Sequence, residues 1–150
     1  MAYMNAAITD LWFSPKHIVD IIRERHGIII CDPASDGNNS TADPIKGHYF
    51  TKEDDGLAQD WIGKLTYVNP PYGRVIKKWV IKAVEEFDNG NSETIVMLLP
   101  SRTDTQWFHL LYEHWNCKIE FLKGRLRYGT ATQNAPFPSI IVTLQKPSTL

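Results

Sequence analysis

The sequence holds only two cysteines, Cys31 and Cys117, in 150 residues, and no CxxC pair. That excludes a disulfide-stapled secreted scaffold and points to a reducing compartment, with both thiols expected as small buried apolar groups. No apolar run approaches the roughly 20 residues that a membrane-crossing helix requires. The first residues, Met1-Ala2-Tyr3-Met4-Asn5, lack the basic and apolar regions of a signal peptide. A cytoplasmic setting, with no membrane partner, is the expectation. Charge of either sign is not in excess: 16 Lys and Arg against 17 Asp and Glu leave a net charge of −1. This excludes a broadly basic, nonspecific nucleic-acid coat. It leaves open an enzyme that meets nucleic acid through cations on one face. Repeats and low-complexity tracts are absent too. What the chain does have is 43% hydrophobic and 11% aromatic residues, enough for one well-cored domain across residues 1–150.

Apolar periodicity supplies the elements. Val75, Ile76, Trp79, Val80, Ala83, Val84 and Phe87 recur at helical spacing. Lys77, Lys78, Lys82, Glu85 and Glu86 are expected on the solvated side, with Asn89-Gly90 as the stop. A first helix is expected to begin with Ser14 as N-cap and Pro15 in the first turn, and Ile18, Val19, Ile21 and Ile22 form its apolar side. A third, starting near Thr103-Asp104, carries Trp107, Phe108, Leu111, Tyr112 and Trp115. Trp79, Trp107, Phe108 and Trp115 are read as core. Short continuous apolar runs at residues 27–31, 65–68 and 94–99 read as strands covered on both faces. Strands alternating with helices imply a parallel sheet. Two later strands, 118–122 and 139–144, have no helix between them and are expected to be antiparallel. Residues 32–64 are polar and turn-rich, with a short strand at 48–51. The expected fold class is α/β.

A parallel sheet binds ligands beyond the carboxyl ends of its strands. Here those ends read Asp32-Pro33, Asn69-Pro70-Pro71-Tyr72 and Pro100-Ser101-Arg102. A stiff turn is the plain reading of Asn69–Tyr72, since Pro fixes the backbone and Asn favours turns. A chemical reading fits its position between a buried strand and a strong helix. An exocyclic aromatic amine is a poor nucleophile, because its lone pair is delocalised into the ring. Two acceptors aimed at its N–H bonds would draw it towards tetrahedral geometry and stabilise the charge that develops. The Asn69 side-chain oxygen and the Pro70 carbonyl can be those acceptors, with Pro71 stiffening the backbone. Tyr72 offers a flat face for a base. Within a duplex the base must first be flipped out. Asp32-Pro33-Ala34-Ser35 could approach a nucleoside, with Asp32 facing the cationic end of S-adenosylmethionine. A carboxylate among Glu53, Asp54 and Asp55 could bind ribose hydroxyls, although for any single one a solvated charge is the plainer reading. Arg102, Lys123, Arg125 and Arg127 sit at strand ends or in loops and could contact phosphates. The five histidines are scattered, and no metal site is expected.

At this point the residues resemble the phage-type DNA N6-adenine methyltransferases, the small Dam-like class. The likeness rests on Trp12-Phe13-Ser14-Pro15, Asp32-Pro33-Ala34-Ser35, the stretch from Tyr49 to Leu57, Asn69-Pro70-Pro71-Tyr72-Gly73, Leu99-Pro100-Ser101-Arg102-Thr103-Asp104-Thr105, Gly124-Arg125-Leu126-Arg127-Tyr128-Gly129 and Ala135-Pro136-Phe137-Pro138-Ser139. It implies a Rossmann-like methyltransferase sheet with an antiparallel final strand, S-adenosylmethionine as methyl donor, and adenine in double-stranded DNA as acceptor. By position it implies a catalytic loop at Asn69, Pro70, Pro71 and Tyr72. It implies donor contacts at Trp12, Ser14, Pro15, Asp32, Pro33, Ala34, Ser35, Asn69 and either Asp54 or Asp55. Larger relatives carry Phe-x-Gly-x-Gly at the donor loop and a separate target-recognition domain. This chain departs from both, since Asp32 and Asn69 are too close in sequence to hold a domain between them. Target reading is then expected from loops at 34–47 and 123–138 or from a second subunit. Two other classes remain open: the same chemistry on RNA adenine or a protein glutamine, and a silent module that binds donor or DNA without turnover.

Overall fold

A computed structural model describes residues 12–37, 41–42, 48–129 and 133–148. The N-terminal stretch read above for a signal peptide, and parts of the two expected target-reading loops, lie outside the described residues. The elements run α1 (Lys16–His26), β1 (Cys31–Asp32), β2 (His48–Tyr49), a 3-10 turn (Gly56–Ala58), β3 (Gly63–Val68), α2 (Ile76–Asp88), β4 (Ser92–Pro100), α3 (Gln106–Tyr112), β5 (Cys117–Phe121) and β6 (Ser139–Gln145). They build a six-stranded sheet in the order β2-β1-β3-β4-β6-β5. β1 pairs in parallel with β2 and β3, and β3 in parallel with β4. β6 runs antiparallel to both β4 and β5. The α/β class, the mostly parallel sheet and the reversed final strand are as the sequence implies.

β4 is the keel of the molecule. Every residue from Thr94 to Pro100 is buried, which fits a central strand covered on both faces. Ile95, Val96, Met97, Leu98 and Leu99 are each fully enclosed, and each such side chain contributes about 1.5–3 kcal/mol of burial. α2 buries Ile76, Trp79, Val80, Ala83 and Phe87, the spacing of one helix face.

Several local expectations are corrected. Ser14 does not cap α1: Pro15 precedes the helix with no side-chain cap, and its carbonyl accepts from the Ile18 and Val19 N–H groups. Glu86 is not on a solvated face but 3% exposed. Its carboxylate accepts from the Trp61 N–H and from the Asn89 and Asn91 side chains, and it pairs with Lys82. Burial pushes the Glu86 carboxyl up, yet these hydrogen bonds and the lysine leave it below its ordinary value. α3 begins later than expected, capped by the Thr105 hydroxyl, which accepts from the Phe108 N–H at 3.2 Å. Trp115 is 98% exposed, because the helix stops at Tyr112 so that the chain can turn into β5. Cys31 is buried as expected, whereas Cys117 is only half-buried.

Candidate active site at the switch point of the sheet

β2 lies on one side of β1 and β3 on the other, so the strand order reverses between β1 and β3. In open α/β sheets the crevice at such a point, beyond the carboxyl ends, is where ligands bind. A cavity of about 540 Å³ opens there, within the range of small-molecule sites. Its walls include Asp32, Pro33, Ala34 and Ser35 from the end of β1, Asn69, Pro70 and Pro71 from the end of β3, and Trp12 and Ser14 from the segment before α1.

Asn69 is held in one orientation. Its Nδ2 donates to the Trp12 carbonyl and to Ser14 Oγ at 3.1 Å. A carbonyl can only accept, so the amide nitrogen must face Trp12 and the oxygen must face away. Ser14 Oγ is fixed in turn by the fully buried Tyr67, with the two hydroxyls 2.6 Å apart. Asn69 Oδ1 is left buried with no hydrogen-bond partner among the described residues, a state that costs about 1–3 kcal/mol. Among the described residues no backbone N–H donates to the Pro70 carbonyl either. One rigid corner of the cavity wall thus carries, just beneath its surface, a buried acceptor without a donor.

Asp32 is 4% exposed. One carboxylate oxygen accepts from the Ala34 N–H at 3.1 Å and the other from the Thr41 hydroxyl. Arg23 of α1 donates to the Thr41 carbonyl and so steadies that partner. Burial pushes the Asp32 carboxyl up to about 6, against the pull of those two hydrogen bonds. A carboxylate so desolvated, with neutral groups as its donors, is a counter-charge for a cationic ligand group.

Not every expected site residue reaches the cavity. Pro15 is buried at the start of α1, away from its wall. Asp54 is exposed and turned back on its own loop, accepting from the Thr51 N–H and hydroxyl at 2.9 and 3.0 Å. Those bonds lower its pKa. Asp55 does line the cavity, in a left-handed conformation with φ 57°. Tyr72 is 2% exposed and is not part of the wall. Its hydroxyl donates to the Leu98 carbonyl at 3.0 Å, and its ring packs edge-on against Tyr128 and Phe137, with centroids 6.1 and 5.6 Å away. The Trp12 ring meets the same two aromatics. Arg102, Lys123, Arg125 and Arg127 are all exposed. Since β5 runs in the same direction as β4, all four cations stand at the carboxyl end of the sheet, as the cavity does.

Sequence reasoning missed Thr41, Gly56 and Trp79. Thr41 carries no local signal. Gly56 is a close-approach glycine: a Cβ there would lie 1.9 Å from the Pro33 carbonyl oxygen and 3.0 Å from Trp79. The helical spacing of Trp79 marks it as core, and it is buried, but the indole also forms cavity wall. Among the described residues no three His, Cys, Asp or Glu side chains gather as metal ligands, and no helix is long and apolar enough to cross a membrane.

The family model for DNA N-6-adenine-methyltransferase (Dam) matches residues 2–146. The chain belongs to the Dam family. Similar proteins include a DNA N-6-adenine-methyltransferase of Escherichia phage T1, 32% identical over 104 residues, which covers 68% of this chain and 40% of that protein. Another, of Haemophilus phage HP1 (strain HP1c1), is 28% identical over 96 residues, covering 59% of this chain and 54% of that protein. The chain thus aligns with about half of the length of these Dam-family relatives. Among solved structures, a candidate RNA methyltransferase from Pyrococcus horikoshii superposes with a TM-score of 0.47 at 16% identity, over 88% of this chain and 59% of that one.

Proposed function

We propose that this Dam-family protein methylates the exocyclic N6 amine of adenine in double-stranded DNA, with S-adenosylmethionine as the methyl donor and a single domain carrying the chemistry. The observation that carries the reading is the orphaned Asn69 Oδ1 at the end of β3. An acceptor left buried without a donor is costly, and an amino N–H from a base would satisfy it once the groups that cover it draw back. The donor set also fits: a cavity of about 540 Å³ with a desolvated carboxylate at one point and Asn69 at another. When bound, the donor supplies an electrophilic methyl carried on a sulfonium.

The rest is done by this chain. Asp32 neutralises the ammonium of the donor's amino-acid end, and the Pro33-Ala34-Ser35 backbone and Trp12 line its path. Asp55, rather than Asp54, meets ribose hydroxyls; what supports this is that Asp55 lines the cavity, as Glu53 also does, and Asp54 does not. Asn69 Oδ1 and the Pro70 carbonyl accept the two N–H bonds of the amine and favour its pyramidal, nucleophilic form. The Trp12 carbonyl, which can only accept, keeps the Asn69 amide from turning over, and Ser14, held by Tyr67, steadies its nitrogen. Tyr72 holds the corner from behind. To receive a flipped base on its ring, Tyr128 and Phe137 have to move off it. Arg102, Lys123, Arg125 and Arg127 bind phosphates along the same end of the sheet.

The deciding experiment incubates the protein with labelled donor and, separately, duplex DNA, RNA and protein, followed by long-read modification mapping of the DNA from expressing cells. N6-methyladenine at a defined context is expected. Label in RNA or protein but not DNA would overturn the substrate, and donor binding without any transfer would overturn the enzyme.

A further inference from the structure

β5 is the outermost strand of the sheet, and among the described residues nothing pairs with its outer side. The phase of its backbone groups is fixed by β6. The Leu122 N–H donates to the Ser139 carbonyl and the Gln145 N–H to the Asn116 carbonyl, both at 3.1 Å. Even-numbered residues therefore direct their backbone groups towards β6, and Cys117, Ile119 and Phe121 direct theirs outward. The Cys117 N–H is taken by the His114 carbonyl at 3.3 Å. Among the described residues, both groups of Ile119 and Phe121 and the carbonyl of Cys117 stay open. Such an edge is a template for another strand. No proline interrupts the stretch Cys117-Lys118-Ile119-Glu120-Phe121, and its one lysine is matched by a glutamate two residues on.

That match is self-complementary. In an antiparallel pair centred on Ile119, Lys118 stands opposite Glu120 of a second copy, and Glu120 opposite its Lys118. These are the non-hydrogen-bonded positions, where facing side chains come closest and opposite charges attract. A slip of two residues sets Lys118 against Lys118 or Glu120 against Glu120. A slip of one breaks the hydrogen-bond phase. The pattern thus specifies one register. Lys118 is exposed and has no ion pair among the described residues. Glu120 is held by Arg25 of α1 at 3.1 Å, and its side chain keeps 34% exposure, room for a second cation. Beside the edge, Phe121 is 61% exposed and in this register faces Cys117 of the other copy. We propose that the chain forms a two-fold dimer by antiparallel β5–β5 pairing centred on Ile119, joining two six-stranded sheets into one. The operation is isologous and closed, so it yields a dimer and not a filament.

The test is independent of the methyl-transfer reading. Sedimentation equilibrium of the full chain is expected to show a dimer. Lys118→Glu and Glu120→Lys, each alone, place like charges across the axis and should weaken association about tenfold or more. Mixing the two variants should restore it as a heterodimer, with circular dichroism confirming that each is folded. In a Cys117→Ser background, Ile119→Cys should form an intersubunit disulfide on mild oxidation, because facing Cα atoms in a hydrogen-bonded pair lie about 5.5 Å apart. A wild-type chain that stays monomeric up to about 1 mM overturns the proposal. So does a dimer indifferent to the charge variants, or one in which the Ile119→Cys variant does not cross-link.

Discussion

Asn69 and Asp32 each hold a polar group in a place that folding alone does not favour, and each can be tested by removing it. Asn69→Ala deletes the orphaned acceptor along with the two hydrogen bonds that aim it, so its effects on stability should largely cancel. Its effect on turnover should not: loss of one preorganised acceptor at the reacting amine should lower kcat about 10²–10³-fold, with stability within about 1 kcal/mol of wild type. Turnover assays paired with thermal melts distinguish that outcome from simple unfolding. Asp32 gives a pH dependence. Its folded-state pKa, about 6, lies above its ordinary value of 3.8, so the folded protein binds this proton more tightly than the unfolded chain. Its burden is absent below the ordinary value, grows as pH rises to about 6, and is complete above it. Asp32→Asn should therefore be more stable than wild type at pH 7.5, by on the order of 1–3 kcal/mol, and the advantage should vanish near pH 3.8. Urea melts of both proteins across that window measure it. Affinity for S-adenosylhomocysteine, which keeps the cationic amine, should move the other way: it should rise with pH up to about 6 in the wild type and stay flat and weak in the variant.

Between elements, the close approach of the 3-10 turn to the loop after β1 shapes the cavity floor. Gly56→Ala would drive a methyl into the Pro33 carbonyl, 1.9 Å away, and backbone there cannot step aside as a flexible side chain could. A loss of about 1–3 kcal/mol is expected, seen as a fall of roughly 2–4 °C in Tm per kcal/mol, together with weaker donor binding. An unchanged Tm would mean that the turn relaxes freely. Elements of this molecule were legible in the sequence where the signal is local and repeated. Ile76, Trp79, Val80, Ala83 and Phe87 mark α2 by spacing alone, and the unbroken run through β4 marks a strand covered on both faces. Asn69 to Pro71 could be placed at a strand end for the same reason. The misses share another cause. Ser14 matches a cap by local pattern, yet Tyr67 and Asn69, more than 50 residues away, claim its hydroxyl. Glu86 falls on the polar side of its helix, yet the Trp61 N–H arrives from an earlier loop to bury it. Thr41 and Gly56 belong to the site only because loops return to it, and periodicity does not encode where a loop returns.

Over the whole molecule, the reversed strand β6 decides where charge gathers. It brings β5 back parallel to β4, so the segment after β5 emerges at the same end as the cavity. There Leu126 and Tyr128 are buried while Arg125 and Arg127 are exposed, an alternation that turns both guanidinium groups outward. Asp36, Glu53 and Asp55 stand around the cavity on the β1–β2 side with Lys52 among them, a wall of net negative charge suited to a cationic donor. Arg102, Lys123, Arg125 and Arg127 stand on the β4–β6 side, suited to a polyanion. Under the proposed function, this division lets a chain with net charge −1 turn a cationic side towards a polyanion, since field depends on placement more than on the sum. It also sets a measurable consequence. If Arg125 and Arg127 each neutralise one phosphate, each releases about 0.9 counterion on binding, so Arg125→Ala/Arg127→Ala should flatten the slope of log K against log salt by about 1.8. Fluorescence anisotropy with a duplex between about 50 and 200 mM salt reads that slope. Lys64→Ala, an exposed lysine near the amino end of β3, should leave it unchanged. A double variant that weakens binding while keeping the wild-type slope would remove these two arginines from the DNA-contacting face and leave Arg102 and Lys123 to account for it.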